Sequence, residues 1–155
     1  MSLAAQVLDA ARARGVMIAT AESCTGGLVA AALTDIPGSS DVVERGFVTY
    51  SNAAKVELLG VSDDDLSRFG AVSEQVALAM AQGALARSHA GLAVSTTGIA
   101  GPGGSEHKPE GRVCFAIATP QGARAETVEF GAIGRAQVRR AATGHALRML
   151  LAALA

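Results

Sequence analysis

Val16-Met17-Ile18-Ala19-Thr20-Ala21-Glu22-Ser23-Cys24-Thr25-Gly26-Gly27, running into Leu28-Val29-Ala30-Ala31-Ala32-Leu33, decides the reading of this chain. The apolar start predicts a buried strand over 16–20, and the Ala-rich continuation predicts a helix over 26–34. A hydroxyl and a thiol then occupy a strand-to-helix turn with two glycines at the helix start. Free helix N–H groups and the positive end of the macrodipole meet there, a setting that favours an anion or a developing oxyanion. Ser23 is the candidate nucleophile facing such a hole, with Cys24 as its rival, since a thiolate is activated at a helix N-terminus.

Working outward, the same alternation of strands and helices continues. Leu3 to Ala13 is an amphipathic helix stopped by Gly15, and Gly46 to Tyr50 reads as a second strand. Asn52 is the expected N-cap of a helix from Ala53 to Leu59, ended by Gly60. The acidic run Asp63-Asp64-Asp65 reads as the first turn of a short helix rather than as a metal site. Ser73-Glu74-Gln75 caps a helix to about Ser88, and strands follow at 92–97 and 113–118. A turn at Pro120-Gln121-Gly122 leads to a hairpin partner over 123–130, and a helix over 134–154 closes the chain. These elements predict one α/β domain over residues 1–155.

Composition narrows the function. With 155 residues, half of them hydrophobic, a sizeable aliphatic core is available. One tyrosine, no tryptophan and a net charge of −1 argue against a nucleic-acid partner. Cys24 and Cys114 have no metal-ligand spacing and read as free thiols, although one disulfide between them is open at this point. No run approaches the length of a membrane span, and Asp9 interrupts any leader-like start, so a cytoplasmic protein is expected.

Ser23 needs a base. His89 and His145 fall on helical segments, His107 lies in a Gly/Pro-rich stretch, and no spacing suggests a Ser-His-Asp triad. Lys55 is the better candidate, because near a helix start the macrodipole and burial both disfavour its protonated form. Tyr50, at the end of the preceding strand, is positioned to relay a proton or orient the amine. The stretch Ile99 to Gly111 leaves a strand end as a long irregular connection, either a binding loop or a mobile one. If the strands run parallel, all three segments meet at the carboxyl edge of the sheet, where open α/β sheets bind ligands.

Four motifs in order carry a resemblance over nearly the whole chain: Thr20 to Gly27; Gly46-Phe47-Val48-Thr49-Tyr50-Ser51-Asn52 with Lys55; Gly70-Ala71-Val72-Ser73-Glu74; and Gly98-Ile99-Ala100-Gly101-Pro102 with Lys108-Pro109. Together they resemble the nicotinamide-nucleotide amidohydrolase family, whose module also forms the C-terminal domain of CinA; this chain looks like the stand-alone form. The resemblance implies a three-layer α/β/α domain with a mixed, mostly parallel sheet of about five strands. It also implies metal- and cofactor-free deamidation of nicotinamide mononucleotide, with Ser23 as nucleophile, Lys55 as base and Tyr50 as third member.

Cys24, Thr25, Gly26, Gly27, Thr97, Gly98, Gly101 and Arg139 are the expected oxyanion and substrate contacts. Arg135, Arg139 and Arg140 are either donors to the substrate phosphate or a solvated helix face. A small nucleotide substrate and a homo-oligomer are the expected partners. The chain departs from the family pattern in one place: the Gly/Pro stretch is one residue short near Gly103-Gly104 and carries Glu110 where valine is common. A non-catalytic nucleotide-binding module and a Ser-Lys amidase for another substrate are the other readings the residues allow.

Overall fold

The computed structural model describes residues 1–155. In chain order it contains α1 (Leu3–Arg14), β1 (Ile18–Glu22), α2 (Leu28–Thr34), a 3-10 turn at Ser39–Asp41, β2 (Val43–Val48) and α3 (Asn52–Leu59). There follow α4 (Asp63–Phe69), α5 (Glu74–Ala86), β3 (Leu92–Gly98), β4 (Arg112–Thr119), β5 (Gly122–Glu129) and α6 (Arg135–Ala153). One sheet has the order β2-β1-β3-β4-β5. The β1–β2 and β1–β3 pairings are parallel and the β3–β4 and β4–β5 pairings antiparallel, so only β4 runs against the other four strands.

Helices α1, α2 and α6 cover one face, and α5 with α3 and α4 the other, giving three layers. Strand periodicity sorts the residues by size. Val113, Phe115 and Ile117 of β4 face the α1/α2/α6 side, while Cys114, Ala116 and Ala118 face α5. The small side chains let the Ala-rich α5 lie close to the sheet, close enough for Ser95 Oγ of β3 to donate to Ala77 O of α5 at 2.6 Å. The larger core is on the opposite face, where Val7, Leu8, Val29, Leu33, Val138 and Leu150 pack on the aliphatic residues of the strands.

Local chemistry moves several of the expected boundaries. The first strand lies two residues later than 16–20 and ends on Glu22, whose carboxylate is buried rather than turned outward. Its Oε1 accepts from Thr25 Oγ1 (2.5 Å) and Val29 N (2.9 Å), and its Oε2 from Ala30 N (3.0 Å). Glu22 therefore caps α2 from inside the fold. Gly26 and Gly27 precede that helix instead of opening it, with φ of 59° and 107°, the left-handed backbone the turn needs. The second strand begins earlier than Gly46. The N-cap of α3 is Ser51, not Asn52, its hydroxyl accepting from Ala54 N at 3.0 Å.

The chain leaves β1 through α2 to reach β2 on one side, then crosses the other face through α3, α4 and α5 to reach β3. The segments after β1, β2 and β3 consequently gather at one edge of the sheet, beside the point where the connections diverge.

Candidate active site

A cavity of about 330 Å³ opens at that edge. Ser23 enters it directly after β1, Tyr50 and Lys55 from the β2–α3 passage, Thr97 and Gly98 from the end of β3, and Gly101 from the glycine–proline loop. Lys55 is the fourth residue of α3 and is 1% exposed. Its Nζ lies 2.9 Å from Ser23 Oγ, 2.9 Å from Thr49 O and 3.2 Å from Tyr50 O.

That arrangement suits a neutral amine. Carbonyl oxygens only accept, so Thr49 O and Tyr50 O hold the two hydrogens of an –NH₂ group. The lone pair is then left for the Ser23 hydroxyl to donate to. Burial lowers the Lys55 pKa from 10.5, while the facing Cys24 acts weakly in the other direction. Burial is the main cause, and the Nζ, turned back toward Thr49 O and Tyr50 O ahead of α3, also lies at the positive end of that helix.

Cys24 is buried beside the serine, and burial, with a further push from the charge of Glu22, raises its thiol to about 12. Such a thiol stays protonated at neutral pH and is a poor nucleophile. The two cysteines are both free.

Tyr50 reaches the site in an unexpected way. The residue is 59% exposed, and its phenol oxygen accepts from Arg135 Nη2 at 2.7 Å. It touches Lys55 through its main-chain carbonyl alone, and no hydrogen bond links the phenol to the amine or to Ser23.

Cys24, Thr97, Gly98 and Gly101 line the cavity as expected, but Thr25, Gly26, Gly27 and Arg139 do not. Thr25 is buried, held between Glu22 and Thr96. Glu22 takes the Val29 and Ala30 amides of α2 that an anion was expected to use. Arg139 donates from Nε to Cys24 O (3.1 Å) and from Nη2 to Thr25 O (3.3 Å), clamping the turn from behind. The cation at the cavity mouth is Arg135, one helical turn earlier, which also donates to Gly101 O at 2.7 Å.

His107 is exposed in the loop, His89 is on the surface, and His145 packs on Phe115 away from the cavity. The glycine–proline loop is stitched internally, since Glu110 Oε1 accepts from Gly103 N at 2.6 Å. No cluster of three or more His, Cys, Asp or Glu side chains with metal-binding geometry is present, and no helix is long and apolar enough to cross a membrane.

Known proteins are similar to this chain in sequence and fold over nearly its full length. Nicotinamide-nucleotide amidohydrolase PncC of Escherichia coli strain K12 is 54% identical over 151 residues, covering 97% of this chain and 92% of that protein. The crystal structure of the competence/damage inducible protein CihA from Agrobacterium tumefaciens superposes with a TM-score of 0.94 at 53% identity, covering 97% of this chain and 92% of that one. The competence damage-inducible protein A from Klebsiella pneumoniae gives 0.95 at 37% identity, covering 98% and 94%. The family model described as the CinA C-terminal domain matches residues 1–154, and the chain belongs to that family.

Proposed function

We propose that this chain hydrolyses the carboxamide of nicotinamide mononucleotide to nicotinate mononucleotide and ammonia by a Ser23–Lys55 acyl-transfer mechanism. The observation that carries the reading is the buried Lys55 amine, 2.9 Å from Ser23 Oγ and fixed by two carbonyls. The name of the Escherichia coli relative, over almost the whole chain, supports the substrate.

Neutral Lys55 takes the Ser23 proton as Oγ attacks the carboxamide carbon. The oxyanion that forms is held by backbone donors: the Cys24 N–H, which has no partner within the chain, and the Thr97–Gly98 segment across the cavity. The Lys55 ammonium then protonates the departing amide nitrogen, releasing ammonia and leaving a nicotinoyl ester on Ser23. Water attacks the ester as Lys55 accepts its proton, and the carboxylate leaves with Ser23 restored. Tyr50 serves through its carbonyl, which orients the amine, and through its phenol, which holds Arg135 at the mouth. Arg135 is the donor best placed for the substrate phosphate.

The test is ammonia release from nicotinamide mononucleotide without added metal. Ser23→Ala and Lys55→Ala are each expected to lower kcat by about a thousandfold or more in folded protein. Near-parental turnover in either variant overturns the assignment, and binding without product in the parent would mark a nucleotide-binding module instead. The reading also carries a cytoplasmic location and a homo-oligomer, the latter open to sedimentation measurements.

A further inference from the structure

Lys108 sits in the glycine–proline loop, yet its ammonium reaches out of that loop. Its Nζ donates to Phe69 O and to Val72 O, each at 2.6 Å. These carbonyls belong to the last residue of α4 and to the connection that follows it, whose Ala71 and Val72 form another part of the cavity wall. The two carbonyls between them are also taken: Ser73 Oγ donates to Gly70 O at 2.8 Å and Thr97 Oγ1 to Ala71 O at 2.8 Å. All four carbonyls from Phe69 to Val72 are thus occupied by donors from the protein. The amides of Ala71 and Val72 donate to nothing within the chain.

We propose that Lys108 is a positioning residue that straps the 69–72 wall to the glycine–proline loop, leaving the amides of Ala71 and Val72 free to donate to acceptor oxygens of the bound substrate. Gly70 makes the strap possible. Its φ is +77°, and a Cβ there would lie 2.9 Å from Lys108 Nζ and overlap the Glu106 carboxylate. A methionine at 108 keeps the aliphatic stem and removes the charge-assisted donors, which are stronger than neutral ones.

The kinetic arm of the test rests on the proposed amidase reading; the exchange arm does not. In the unliganded protein, Lys108→Met is expected to raise hydrogen exchange selectively over residues 69–73 and 99–111. With nicotinamide mononucleotide, KM should rise about tenfold while kcat stays within about threefold. A Lys108→Cys protein alkylated with 2-bromoethylamine regains an ammonium at nearly the same reach, and should recover the parental KM. Buried Cys24 and Cys114, whose thiols are raised by burial, make the parent an unreactive control.

Gly70→Ala, which attacks the strap from the other side, should give the same rise in KM. Unchanged exchange over 69–73 in Lys108→Met overturns the proposal. So does a loss carried by kcat alone, or a failure of aminoethylation to restore KM. If the parent releases no ammonia, the amidase reading fails while the exchange result still decides the strap.

Discussion

Of the three groups around Lys55 Nζ, two can only accept, so the protonation state of the amine sets the direction of the hydrogen bond to Ser23. When the amine is charged, it donates to Oγ; when neutral, it can accept the hydroxyl proton, as the proposed mechanism requires. Since burial depresses the Lys55 pKa, the acidic limb of kcat/KM should lie below lysine's ordinary 10.5, with activity falling as pH drops through the folded-state value. Stability follows with a defined sign. Between the folded-state value and 10.5 the unfolded chain binds more protons than the native one, so native stability rises with pH across that window. Urea titrations of the parent and of Lys55→Met should therefore show the parent gaining on the variant as pH increases toward 10.5; a constant difference would mean the amine titrates normally.

Glu22 shows how an element's end can be controlled from the core. Its carboxylate accepts three hydrogen bonds, two of them from the first turn of α2, and it is 1% exposed. Glutamine supplies one accepting oxygen and turns an NH₂ group toward an N–H donor. Glu22→Gln should therefore cost about 3 kcal/mol, read by urea denaturation, with a matching loss of protection in the 23–27 turn.

The elements whose ends carry local signals were readable in the sequence. Ser62 and Ser73 cap α4 and α5, and Gly15 and Gly60 close α1 and α3. So was the meeting of Ser23 and Lys55 at one sheet edge, because parallel strands send their following loops to the same side. The role of Glu22 was not legible. A charge at a strand end reads as a turn, and its partners include amides seven and eight residues later. Arg135 and Arg139 likewise share a helix face, and only the tertiary placement of α6 decides which one reaches the cavity and which one clamps the turn. The anchoring of Lys108 also escaped the sequence, since it finds its carbonyls 36 and 39 residues away.

At the scale of the whole molecule, the sheet separates a large-residue core from a small-residue one, and Phe115 is the largest apolar side chain in the former. It is fully buried on β4, edge-on to Phe130 and tilted against His145 of α6. Phe115→Ala should destabilise the fold by about 3–5 kcal/mol with the urea m-value unchanged, because the cavity it leaves lies between rigid layers that cannot close on it. On the α5 side the buried apolar residues of β1, β3 and β4 are already alanine or cysteine, so the volume that can be removed there sits in helix side chains such as Leu59 and Met80.

The burial of Lys55 has a practical consequence. The sequence holds only two lysines, and the other eleven of its thirteen Lys and Arg residues are arginine. At 1% exposure, Lys55 should take up a bulky side-chain amine label far faster once the molecule opens than while it is closed. Pulse acylation followed by mass spectrometry of that peptide would thus follow the opening of the molecule, with the reporter amine already in place beside Ser23.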